Sequence, residues 1–312
     1  MNIPSSLYKY TTFENAYLTI ENQKFKWSSI FDFNDPFESR FYINERDKLN
    51  AIRETAISIS LTSKFFDSTE LNDFLRNFKN INPGIHKTIM NAKKRIDEII
   101  TQHAENPTEK YLLKLEKEIK HWVNESFILD LALSSTKGLA EKTHHSFATH
   151  FGVLCLSKTK NNPLMWSHYT NNHTGIMFEL DSSIMKKLPQ LHNTIREVKY
   201  TETYPEITYE LIKGMNKKMF PKESKKLFET IASTKQKIWE YENEVRSIIS
   251  LKNNNRLLTL PKECFKSITL GCAMTDNNKN EAIRNIQKNL PNTKIFKNEI
   301  SRSSYKMEYI EI

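Results

Sequence analysis

Glu242, Glu244 and Arg246 stand at every second position of the segment Ile238-Trp239-Glu240-Tyr241-Glu242-Asn243-Glu244-Val245-Arg246-Ser247-Ile248-Ile249. Read as a strand, this segment alternates its side chains between faces, so the two carboxylates and the guanidinium would project in file. Two neighbouring carboxylates can stabilise a developing positive charge, such as an oxocarbenium-like transition state. On a solvent face the same row would be a salt-bridge ladder of little energetic weight. Trp239 and Tyr241 crowd the row with rings, which weighs towards a site.

Three further polar groups have comparable density. Tyr8-Lys9-Tyr10 places two rings on one face of a short strand, suited to stacking or to an aromatic edge of the core. Phe33-Asn34-Asp35-Pro36-Phe37-Glu38 reads as an Asx-type turn, with the two phenylalanines expected to pin it to the core. Structural turn and ligand loop are both open there. Met165-Trp166-Ser167-His168-Tyr169 reads as a short helix opened by Asn162-Pro163. His168 would serve as a general base or a hydrogen-bond donor, or as a structural histidine. Adjacent positions on a helix do not face each other, so Ser167 and His168 cannot form a nucleophile–base couple there.

Elements to position these groups are legible along the chain. Thr11 or Thr12 caps a helix running to about Glu21, and Lys24 to Ser29 alternates as a strand. Residues 45–149 carry helical spacing, with starts at Asp67-Ser68-Thr69-Glu70 and Asn106-Pro107-Thr108-Glu109 and stripes through Leu71, Ile85 and Leu112. Strands are expected at Gly152–Ser157, Gly175–Leu180, Glu197–Tyr200, Ser267–Gly271, near Lys294–Phe296 and near Tyr305–Met307, with helices at about Lys222–Lys237 and through Ala282 and Ile286. The pattern is α+β: small mixed or antiparallel sheets in residues 1–44 and 150–312, interrupted by a helical insertion at 45–149.

Composition narrows the function classes. The chain has 312 residues, 38% hydrophobic and 27% charged, enough for a large core. Its net charge of +9 suits approach to anions such as nucleotides or nucleic acid, and equally a lysine-rich solvated surface. With 6 glycines there is no glycine-rich phosphate loop of the Rossmann or Walker type. Cys155, Cys264 and Cys272 are scattered, which argues against a zinc site or a disulfide framework. Neither a signal peptide nor a bilayer-spanning apolar run is visible, so a cytoplasmic protein without a membrane partner is expected.

The four groups in this order resemble the bacterial family called domain of unknown function 2971. The shared pattern is an L-Y-K-Y strand, an N-D-P-F-E turn, an M-W-S-H-Y helix leading to Gly175, and W-x-Y-E-x-E-x-R, with Leu270-Gly271-Cys272-Ala273-Met274 near the tail. More distantly the chain is similar to ADP-ribosyltransferase-like proteins. That resemblance implies NAD, as substrate, in a cleft between two small sheets. It implies Glu244 as the carboxylate holding the nicotinamide ribose, supported by Glu242 and Arg246, with His168 as a further catalytic candidate. Tyr10 or Tyr169 would stack on the nicotinamide, Arg246 and Lys9 would meet the pyrophosphate, and Tyr8, Asn34, Asp35 and Ser167 would complete the binding wall. The implied activity is NAD-consuming transfer or glycohydrolysis, in the setting of a toxin or antiphage defence effector.

Two other readings compete. Asp35, Glu38, Glu242 and Glu244 would suit Mg²⁺ in a nuclease, with the positive net charge facing a polynucleotide. Alternatively the polar row binds a nucleotide or a partner without chemistry. Oligomerisation through the helical insertion is a further expectation. Convergence of Glu242, Glu244, His168 and the Asn34–Glu38 turn on one cleft would favour an enzyme.

Overall fold

Alternation in the first strand sets up the whole domain. In β1 (Ser6–Thr11) Leu7 is fully buried on one face while Tyr8 and Tyr10 point to the other. Thr12 caps α1 (Phe13–Asn22) by accepting from the Asn15 amide, and Gln23 ends it in the left-handed region at φ 51°. β2 (Lys24–Lys26) follows, then a 3-10 turn (Ile30–Asp32) closed by a Ser29–Asp32 capping box.

The computed structural model describes residues 3–42, 147–207, 221–251 and 255–312, together with Lys87, Asn91, Lys94 and Glu98. The chain divides into two units, one of Met1–Tyr42, His144–Pro205 and Pro221–Ile312, the other of 43–143 and 206–220. In the second, Lys87, Asn91, Lys94 and Glu98 are helical and exposed, at the spacing of one helix face. The helix starts at Asp67–Glu70 and Asn106–Glu109 and the apolar stripes expected in this block lie outside the described residues.

The first unit continues with β3 (Phe151–Ser157), α2 (Pro163–Tyr169), β4 (Ile176–Asp181), α3 (Ser182–Lys187), β5 (Ile195–Glu197) and β6 (Lys199–Thr201). Then come α4 (Pro221–Ala232), β7 (Thr234–Gln236), β8 (Glu244–Ser250), β9 (Leu257–Thr259), β10 (Phe265–Leu270), α5 (Asp276–Asn289), β11 (Lys294–Ile300) and β12 (Met307–Glu311). Eight strands join one mixed sheet in the order β12-β11-β10-β4-β1-β3-β8-β5, and β2-β9 and β6-β7 make two-stranded sheets. The expected mixture of α and β is present. β10, α5 and β11 form a parallel crossover within the large sheet.

One face of the large sheet is the core. Leu7, Leu154, Leu156, Phe178, Leu180, Val245 and Ile268 pack there against Ala16 and Ile20 of α1 and Ala282 and Ile286 of α5. Register decides what the opposite face carries. Tyr8 pairs with Ser157, Ser157 with Glu244, and Cys155 with Arg246, and paired residues share a face. Tyr8, Tyr10, Cys155, Ser157, Glu244 and Arg246 therefore rise from the same side.

Several expectations are corrected. The segment Ile238–Ile249 is not one strand. Lys237–Glu242 is a 3-10 turn, and Asn243 adopts the left-handed conformation at φ 49°, ψ 48°, which breaks the period of two before β8 starts. Ile238, at the start of that turn, is 71% exposed. The lysine-rich helix stops at Ala232, because residues 234–236 pair as a strand with β6. Glu197–Tyr200 divides between β5 and β6, in different sheets. Phe37 does not pin its turn to the core but is 57% exposed. Among the described residues, no helix is long and apolar enough to cross a membrane.

Candidate functional site

Five charged side chains meet above the polar face of the sheet, each at most 5% exposed. Lys235 Nζ lies 2.7 Å from Glu38 Oε1, 2.6 Å from Glu242 Oε2 and 3.4 Å from Glu244 Oε2. Arg246 donates from Nε to Glu244 Oε1 at 2.8 Å, and from Nη2 to Glu244 Oε2 at 2.8 Å and Glu38 Oε2 at 2.9 Å. Its Nη1 reaches the Ala232 carbonyl at 2.7 Å, and its plane lies 4.9 Å from the centroid of the Phe33 ring. Buried charges persist only when paired and hydrogen-bonded, and here the pairing is nearly complete.

Local structure brings each member in. Asp35 Oδ1 accepts from the Phe37 amide at 2.9 Å and its carbonyl accepts from the Glu38 amide at 3.1 Å, so the Asx turn aims Glu38 inward. Lys235 sits at the centre of β7, paired with Tyr200. Glu242 is delivered by the end of the 3-10 turn, which three residues clamp. Ser157 Oγ donates to the Glu242 carbonyl at 2.7 Å, Asn162 Nδ2 to the Tyr241 carbonyl at 2.7 Å, and the Lys158 amide to the Asn243 carbonyl at 2.9 Å. Tyr200 accepts the Glu244 amide at 2.7 Å.

The environment drives the two carboxylates apart. Burial pushes Glu242 up, against the pull of Lys235, and the Glu244 charge adds to the rise. Burial also pushes Glu244 up, but Arg246 and Lys235 overcome it and hold Glu244 down at about 2. Tyr169 donates to Glu242 Oε1 at 2.5 Å, and burial, together with the Glu242 charge, raises its hydroxyl well above the ordinary range, so it stays a donor. Lys235 is raised despite burial, by the Glu244 and Glu38 charges. Burial and Glu244 raise the Cys155 thiol, which removes it as a nucleophile.

This cluster floors a cavity of about 320 Å³, which Tyr8, Lys9, Tyr10, Asn34, His168 and Tyr169 also line. The four sequence groups therefore reach one cavity. Asp35 and Ser167 are not among the lining residues: Asp35 Oδ1 serves its turn, and the Ser167 carbonyl accepts from the Asn172 amide. Three assigned roles do not fit the geometry. Arg246 is fully buried and gives four of its five N–H donors to Glu244, Glu38 and the Ala232 carbonyl, which leaves little to offer a pyrophosphate. Tyr10 is 4% exposed, edge-on to Trp166 and bonded to the Thr159 carbonyl, and Tyr169 is tied to Glu242, so neither ring is free to stack on a ligand. In the nuclease expectation Asp35, Glu38, Glu242 and Glu244 share Mg²⁺, but Lys235 and Arg246 already bridge three of these carboxylates. Among the described residues no group of His, Cys, Asp and Glu is arranged to hold a metal.

Lys235 is the residue that sequence reasoning missed. It stands in a stretch with Lys225, Lys226 and Lys237, and nothing local marks it as the buried one. Glu38 is legible in its turn and as a carboxylate grouped with Glu242 and Glu244, but its pairing with Arg246, 208 residues away, is not.

No curated protein and no solved structure matches the chain. A family model described as "Protein of unknown function (DUF2971)" matches residues 165–247. That span holds the Met165–Tyr169 helix, Lys235 and the Trp239–Arg246 segment, most of the charged floor of the cavity.

Proposed function

We propose that this chain is an NAD-consuming enzyme that breaks the bond between nicotinamide and ribose, as a transferase or a glycohydrolase. The observation that carries the reading is the meeting of Glu242 and Glu244, with pKa values driven in opposite directions, at the floor of one cavity. Pairs of carboxylates separated in this way divide the work of fixed charge and proton acceptor. Glu244, ionised and held by Arg246, supplies permanent negative charge. Glu242, raised by burial, suits a proton acceptor, so the working role passes from Glu244 to Glu242.

In the step proposed, the C–N bond breaks with its electron pair leaving on nicotinamide. Positive charge develops over the ribose C1′ and ring oxygen, where the carboxylates stabilise it. Water or an acceptor hydroxyl then attacks C1′ and gives its proton to Glu242. The volume of about 320 Å³ lies within the range of small-molecule pockets. The test is nicotinamide release from NAD by the purified chain and by Glu242→Gln. Release that falls by roughly 100-fold or more in a folded variant supports the reading. No release by the native chain, or release unchanged in the variant, overturns it.

A further inference from the structure

Outside the charged floor, three rings stand together, and one of them, His168, lines the cavity. His168, Trp239 and Tyr241 have centroids 6.1, 6.3 and 6.0 Å apart, an almost equilateral set. His168 is exposed and lines the cavity, while Trp239 and Tyr241 are half-buried. None stacks flat on another: the interplanar angles are 66°, 33° and 38°. His168 meets Trp239 edge-on, as Tyr10 meets Trp166 inside the domain, and Tyr241 lies tilted against both. The elements that carry them also hold Glu242. Tyr241 precedes it in the chain, His168 precedes its partner Tyr169, and Trp239 covers Lys235.

Lys235 decides what such a shelf prefers. Its ammonium lies 4.8 Å from the centroid of the Trp239 ring. A cation on one face of an indole draws π density towards itself. The remaining face is then poorer in electrons and stacks better on a neutral, electron-rich purine than on a cationic pyridinium. We infer that His168, Trp239 and Tyr241 form a stacking subsite for an uncharged nucleobase, of which adenine is the type. The inference does not rest on the cleavage reading, since it concerns binding alone.

The test titrates the full chain with AMP and with nicotinamide mononucleotide. It follows tryptophan emission and measures affinity by calorimetry. Trp27, Trp122 and Trp166 all remain in Trp239→Phe, so quenching that disappears in that variant reports the shelf. AMP is expected to quench and to bind several-fold more tightly than nicotinamide mononucleotide. Trp239→Ala is expected to weaken AMP binding roughly tenfold, as loss of one base–aromatic stack does, while Trp239→Phe keeps most of the affinity. His168→Ala, at an exposed position, guards against a folding defect and is expected to weaken AMP binding several-fold. The inference is overturned if nicotinamide mononucleotide binds as tightly as AMP, if AMP fails to bind at millimolar concentration, or if the Trp239→Ala and His168→Ala variants bind AMP as the native chain does. AMP has no nicotinamide bond to break, so failure here and failure of the cleavage reading are separate results.

Discussion

Replacing Lys235 by Met tests whether the buried cluster is held by charge balance or only by packing. Met keeps most of the side-chain volume and removes the ammonium. Three carboxylates then face Arg246 alone, and the formal charge of the cluster moves from −1 to −2. Removing one partner of a buried ion pair costs about 3–5 kcal/mol. Lys235 contacts carboxylates at 2.6, 2.7 and 3.4 Å, so the upper part of that range is expected. The variant relieves the strain by protonating Glu242, whose pKa is already raised by burial and loses the lowering effect of Lys235. A carboxylate with a raised folded-state pKa binds more protons folded than unfolded, so its protonation stabilises the fold as pH falls. Each unit of that rise returns about 1.4 kcal/mol on acidification. Urea unfolding followed by tryptophan emission should therefore show a loss of about 4 kcal/mol at pH 8 and at least ~1.4 kcal/mol less at pH 5. Adding Glu242→Gln restores the formal charge to −1, and the double variant should be more stable than additivity predicts by about 1 kcal/mol or more. A loss under about 1 kcal/mol at pH 8, or one equal at both pH values, would refute the charge-balance argument.

Three further outcomes follow from other contacts. Glu244→Gln removes a carboxylate held down at about 2, whose stabilisation is present above the unfolded pKa and lost as pH falls towards 2; the native-minus-variant difference, read from unfolding curves at pH 3, 5 and 7, should grow from about 1.4 kcal/mol at pH 3 to on the order of 3 kcal/mol at pH 5 and 7. Asn162→Ala removes both the cap on the Leu164 amide at 3.0 Å and the donor to the Tyr241 carbonyl at 2.7 Å, so thermal unfolding should show a loss of about 2–3 kcal/mol. Gly271→Ala would place a Cβ 2.1 Å from the His173 carbonyl oxygen, and a loss of about 2 kcal/mol or more is expected, with no loss pointing to a backbone that yields freely there.

What the sequence shows and what it hides follows from the range of each interaction. Helices α1, α2 and α5 and most strands are visible, because caps and apolar periods are local signals: Thr12 and Asn162 announce their helices within three residues. The 3-10 turn at Lys237–Glu242 is hidden for the same reason. Glu242 and Glu244 keep a spacing of two, and only the left-handed Asn243 shows that this spacing is not a strand. Asparagine tolerates that conformation, but nothing in its neighbours demands it until Ser157, Asn162 and Lys158 grip the turn from β3 and α2. The choice between ladder and site resolves in the same way. A ladder needs only the residues of one strand, whereas here Arg246 reaches back to Glu38 and Lys235 crosses from another sheet. A solvated ladder would leave its charges exposed, and burial of all five carries a desolvation cost that short-range spacing cannot offset. A chain that keeps three carboxylates and two cations beneath a cavity, where apolar residues of equal volume would stabilise as well or better, holds them there for a reason other than stability. That makes the electrostatic floor, more than any single glutamate, the feature that the nicotinamide and nucleobase experiments interrogate.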